Sequence, residues 1–156
     1  MRRQNKYPDT NSFHYLNVNP KNRLTGDCTY RAIATALDKP WKDVVMEMAM
    51  SACENGYSPA SKENIDRYLQ SQGWVKQKQP RKFDNTKYTG TEWCDELYHR
   101  ANPEETSIVA MIGGHHVVCI KEMQCDDGIY RFKIHDTWNS SYKCIGNYWV
   151  KLKKNN

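Results

Sequence analysis

The stretch Gly26-Asp27-Cys28-Thr29-Tyr30-Arg31-Ala32-Ile33-Ala34-Thr35-Ala36-Leu37 decides how the rest of the chain is read. Tyr30, Ile33, Ala34 and Leu37 recur at helical spacing and define one apolar face. Asp27 stands where an N-cap is expected, and Gly26 allows a tight turn and close approach to the backbone. Cys28 therefore falls in the first turn of a helix, where free N–H groups favour a thiolate. A cysteine in that place is equally readable as a small buried hydrophobe until partners are found. That second reading fits Cys53, Cys119 and Cys144, which lie within apolar patterns. Arg31 falls off the apolar face; a solvated guanidinium is the first expectation, a substrate-carboxylate contact the second.

On the N-terminal side, residues 1–25 are rich in Asn, Pro, Lys and Thr without a sustained period, which predicts an extended arm or loop. On the C-terminal side, Pro40 opens a second helix through Trp41, Val44, Val45, Met48 and Ala52, closed by Gly56. Ser61 caps a third, with Ile65, Tyr68 and Leu69 on one face and Gly73 as its stop. Residues 76–90 are polar and basic and predict a loop; 91–100 predict a short helix. After Pro103 the character changes. Segments 107–112, 115–121, 129–135 and 144–152 are rich in Val, Ile, Tyr and Trp, and Asp126-Asp127-Gly128 reads as a tight turn between two of them. Helices first and an antiparallel sheet after imply an α+β domain with helices packed on the sheet.

The chain's 156 residues fit one domain. With 38% hydrophobic residues, ten Tyr and five Trp, it can fill a core and is not expected to be disordered. No apolar run approaches a membrane span, and no hydrophobic segment follows the basic residues 1–6, so neither a membrane protein nor a signal peptide is expected. The six cysteines are scattered through periodic segments, which predicts reduced thiols rather than a disulfide framework. A net charge of +5 is compatible with acidic partners, but a solvated surface explains it as well, and a nucleic-acid role is disfavoured.

Two further segments carry candidate chemistry. In Gly113-Gly114-His115-His116-Val117-Val118-Cys119-Ile120 the glycines end one strand and the histidines open the next. Strand alternation puts His116 on one face with Val118 and Ile120, and His115 on the other with Val117 and Cys119. In Ile134-His135-Asp136-Thr137-Trp138, Asp136 ends the following strand, where its carboxylate can accept the second N–H of a histidine and fix its tautomer. Trp138 can shield that hydrogen bond from water. Simple turn chemistry is the competing reading of Asp136.

A Cys opening a helix, a His opening a strand and an Asp ending the next one resemble, in order and placement, the papain-like cysteine peptidases. The matching elements are Gly26-Asp27-Cys28, His116-Val117-Val118 and Asp136-Thr137-Trp138, the last similar to the Asn-Ser-Trp of papain relatives with Asp in place of Asn. More narrowly, residues 22–150 resemble small phage and prophage peptidase-like proteins, themselves similar to bacteriocin-leader peptidases. The resemblance implies a papain-like domain over 22–152, an N-terminal arm over 1–21 and a basic tail over 153–156. It also implies a Cys28–His116–Asp136 triad, with His116 preferred to His115 as base because it precedes Val-Val. Asn22 takes the place of the glutamine whose amide helps to build the oxyanion hole. The implied activity is thioester-forming hydrolysis of a peptide or isopeptide without a cofactor, in the cytoplasm (the host's, if the chain is phage-encoded). Two alternatives remain open: a phage cell-wall amidase or endopeptidase with the same triad, and a catalytically degenerate binding protein acting on a host factor. A zinc site using His115 or His116 with Cys119 and Cys125 lacks the four-ligand spacing such sites need, so no metal is expected.

Overall fold

Apolar periodicity and end signals account for most of the helices. The computed structural model describes residues 2–100 and 106–151. Within them, after a single turn α1 (Arg3–Lys6), run α2 (Cys28–Leu37), α3 (Trp41–Asn55), α4 (Lys62–Ser71) and α5 (Gly90–His99). Pro40 precedes α3 and Gly56 ends it in the left-handed region at φ +76°. Ser61 caps α4 by accepting from the Asn64 N–H. Thr89 and Glu92 form a reciprocal capping box on α5.

The strands are β1 (Phe13–Tyr15), β2 (Trp74–Gln77), β3 (Ser107–Ile112), β4 (His116–Gln124), β5 (Tyr130–Asp136) and β6 (Ile145–Lys151). They form one six-stranded sheet in the order β1-β5-β4-β3-β6-β2. The chain is thus α+β, as expected, but the sheet is neither wholly antiparallel nor wholly C-terminal. β1 runs parallel to β5, with Phe13 opposite Ile134, and β2 pairs antiparallel with β6.

These two edge strands correct the reading of residues 1–25 as an arm and of 76–90 as a loop throughout. Phe13 is fully buried, and Ser12 and Asn19 are nearly so. Three- and four-residue strands are too short to show a period of two; pairing with a neighbour, not local pattern, makes them. Pro103, Leu152 and the tail 153–156 lie outside the described residues.

Helices cover both faces of the sheet. On one face Ile33 of α2, Met48 of α3 and Leu69 of α4 pack with Val109, Val117, Cys119 and Trp149. On the other, Trp93 and Leu97 of α5 pack with Phe13, Ile108, Val118, Ile120 and Ile134. Fully burying each such side chain contributes about 1.5–3 kcal/mol. The topology also gathers chain ends: β3 and β5 finish, and β4 and β6 begin, at one end of the sheet. His116 and Asp136 are therefore brought to the same end.

Candidate active site

Cys28 is the first residue of α2, where the opening N–H groups have no intrahelical partner. Asp27 occupies the N-cap position but does not cap with its side chain. Its carboxylate is engaged instead by Arg31 Nε at 2.8 Å, Asn19 Nδ2 at 3.1 Å and Trp41 Nε1 at 3.1 Å. Gly26 lies outside the left-handed region, and a Cβ there would meet nothing within 4 Å. A tight turn does close around it, the Asp27 N–H donating to the Thr25 carbonyl at 2.8 Å, but its backbone does not demand glycine.

His116 Nε2 lies 2.6 Å from Asp136 Oδ2, and the carboxylate is almost wholly buried. Nε2 being taken, Nδ1 is the ring nitrogen left for the Cys28 thiol, which lies close enough to His116 for each group to shift the other. Burial by itself raises the thiol, but the hydrogen bond to His116, a backbone hydrogen bond from Val117 and the charges of His116 and Arg31 outweigh it, so Cys28 lies below its ordinary value. Burial likewise disfavours the imidazolium, yet Asp136 and Cys28 together lift His116 to about 9. Both shifts favour the charged form of their group, the thiolate for Cys28 and the imidazolium for His116.

Trp138 covers that pair: its ring centroid is 4.9 Å from that of His116. Continuing the β4–β5 register from Cys119 opposite His135 sets Trp138 opposite His116. The alternation argument, in contrast, does not place His116. Val118 and Ile120 face α5, whereas His116 meets Cys28 on the α2 side. The first residue of a strand lies at the sheet's end, where a side chain can reach around the end of either layer.

Arg31, expected to be solvated, is buried and bridges two carboxylates: Nε binds Asp27 and Nη1 lies 2.6 Å from Asp136 Oδ1. The same Asp136 oxygen accepts from the Thr137 N–H at 2.7 Å. Asp27, Arg31, Asp136 and His116 thus form a connected row that ends at Cys28. Arg31 is the member that sequence reasoning missed, as it missed Asn19, which donates to Asp27. The available signal was Arg31 four residues after Asp27, one helical turn on.

Two expected site residues stand apart from this row. His115 is exposed in the turn before β4. Asn22 is exposed, has φ +54°, and its amide oxygen accepts from Asn17 Nδ2 at 3.3 Å. No described hydrogen bond joins it to Cys28, His116 or Asp136. The remaining cysteines are free thiols among the described residues. Cys119 is buried as expected, Cys53 and Cys144 are exposed against expectation, and Cys94 is buried. Burial pushes Cys94 and Cys119 up to about 12.

Among the described residues, no helix is long and apolar enough to cross a membrane. Comparison with protein-family models, with curated proteins and with solved structures finds no match to this chain. What the site can do therefore rests on its own geometry.

Proposed function

We propose that this chain is a cysteine-dependent hydrolase, a peptidase or amidase on a papain-like domain, acting on a peptide or isopeptide bond. One observation carries the reading: His116 is held by Asp136 at 2.6 Å beside the thiol that opens α2, and the imidazole and the thiol shift each other toward their charged forms. In this mechanism the Cys28 thiolate attacks the carbonyl carbon, and the carbonyl oxygen takes up the negative charge. The unpartnered N–H groups at the start of α2 face that charge, the Cys28 N–H first among them. His116 then gives its proton to the leaving amine, and the C–N bond breaks to leave a thioester. Water, losing a proton to His116, hydrolyses the thioester and restores the thiolate.

A degenerate binding protein on the same domain is the second reading. It draws on Asn22, whose amide is tied to Asn17 and lacks a described bond to the triad.

The deciding experiment is alkylation with iodoacetamide near neutral pH, with the modified cysteine located by peptide mass analysis. Cys28 is expected to react first, and His116→Ala to slow it by on the order of tenfold or more. Six cysteines reacting slowly and alike would leave the binding-protein reading in place.

A further inference from the structure

The β3–β4 turn that delivers His116 also walls a groove that the proposed chemistry does not use. This groove, of about 220 Å³, is lined by Gly113 and Gly114, by Gly146 and Asn147 of β6, and by Lys62 and Lys87 among others. It connects to the site through a short series of contacts. A Cβ on Gly113 would lie 2.7 Å from the Lys143 side chain, Lys143 Nζ lies 5.9 Å from the Trp138 ring, and Trp138 packs on His116.

The groove is a constructed feature of the sheet. β3 and β6 pair as Ala110 with Tyr148 and as Ile112 with Ile145, so Gly146 and Asn147 together oppose the single residue Met111. This is a β-bulge, which bends a strand and re-aims a side chain. Gly146 permits the close approach, since a Cβ there would come within 3.1 Å of Met111 Cβ. The Asn147 side-chain nitrogen is buried without a hydrogen-bond partner. A buried donor left unpaired is costly, and turning the Asn147 amide toward the groove to meet a ligand oxygen would relieve it.

The charge of the groove selects the ligand. Its lining includes Lys62 and Lys87 and no carboxylate. None of the ion pairs among the described residues involves Lys62, Lys87 or Lys143. We infer that this groove is a substrate subsite that takes a carboxylate, held by the Asn147 amide and the Lys62 and Lys87 ammonium groups. The assignment rests on the thiol-hydrolase reading and adds to it a substrate class: a peptide carrying an acidic side chain or a free C-terminus beside the cleaved bond.

The test is NMR titration of the 15N-labelled full chain, following the amides of Gly113, Gly114 and Gly146. The probes are N-acetylglutamate α-amide, which carries only a side-chain carboxylate, and N-acetyl-alanyl-alanine, which carries only a terminal one. N-acetylglutamine amide is the neutral control. Saturable shifts at these glycines with one acidic probe and not with the control are expected, and the responding probe identifies the carboxylate. Affinity should fall by about tenfold or more in Lys62→Ala/Lys87→Ala, two exposed positions whose loss leaves the core intact. Asn147→Asp, which puts a negative charge in the groove, should abolish binding. Equal response to acidic and neutral probes, or none at these glycines, overturns the subsite whatever Cys28 does. Iodoacetamide reactivity measured on the same sample tests the thiol reading separately. An inert Cys28 with saturable shifts removes the hydrolase and leaves a carboxylate-binding groove.

Discussion

Arg31 and Asp136, 105 positions apart in the chain, meet through a guanidinium–carboxylate contact of 2.6 Å, while the second Asp136 oxygen faces His116 at the same distance. One buried carboxylate thus divides its two oxygens between a permanent cation and a titrating one. Arg31 in turn is shared with Asp27, so neither acid is buried without a counter-charge.

Arg31→Met leaves Asp27 buried without a cation and Asp136 with His116 alone. A loss of roughly 3–5 kcal/mol is expected in denaturant unfolding, the usual result of breaking a buried pair from one side. The Arg31 charge also helps to hold the Cys28 thiol down. The pH at which Cys28 becomes alkylatable should therefore rise in Arg31→Met. Arg31→Lys keeps the charge but not the fork that spans two acids, and should recover only part of either effect. An unshifted alkylation profile in Arg31→Met would confine the residue to a purely structural part.

The ion pair sets a pH dependence that Cys28→Ser uncovers. His116 is raised from 6.5 to about 9, so its stabilisation is complete below pH 6.5 and is lost as pH rises through 9. Cys28 is lowered from 9.0, so its contribution is complete above pH 9.0 and is lost as pH falls through the folded value. Where both groups titrate the slopes oppose each other, so the thiol offsets part of the imidazole's pH dependence in the wild type. In Cys28→Ser the thiol slope is gone while Asp136 still holds His116, so the unfolding midpoint should decline as pH rises above 6.5. A decline in the variant no steeper than in the wild type would contradict the pairing.

Native-state alkylation should also rank the other thiols. Cys53 and Cys144 are exposed and should react at ordinary rates after Cys28; Cys94 and Cys119, buried and held at about 12, should react only in denaturant. Early labelling of Cys94 or Cys119 under native conditions would place the opening of the core, not thiol chemistry, in control.

Gly90→Ala tests the seating of α5. A Cβ there would lie 2.7 Å from Ile134 Cδ1 and 3.0 Å from the Ser141 backbone, at the helix start that Thr89 and Glu92 cap. Overpacking of this kind should cost about 1–3 kcal/mol in thermal or denaturant unfolding. Cys28 lies on the opposite side of the sheet, so its alkylation rate in the folded variant should be unchanged.

Residues with a local signature were readable in advance. Cys28 at a helix start, His116 at a strand start and Asp136 at a strand end are each marked by the glycine, cap or apolar run beside them. The structure joins them as that order suggests. Asp27 carried the signature of an N-cap, but Arg31 one turn on, with Asn19 and Trp41 from other segments, takes its carboxylate. Arg31 looked solvated because hydrophobic period assigns a charged residue off the apolar stripe to water. The acids that bury it come from elsewhere in the chain as well as from one turn away. β1 and β2 were missed because so short a strand has no period of its own.

The sequence by itself determined four of the five described helices, four of the six strands and the candidates Cys28, His116 and Asp136, because capping, periodicity and turn chemistry act over a few neighbouring positions. The tertiary structure alone decided that Phe13 to Tyr15 would complete the sheet, and that His116 rather than the adjacent His115 would meet Cys28. It likewise decided that Arg31 would sit between two acids and that a bulge would turn Asn147 into a basic groove. Each of these depends on which distant backbone lies alongside, and on burial that strengthens charges once water is gone.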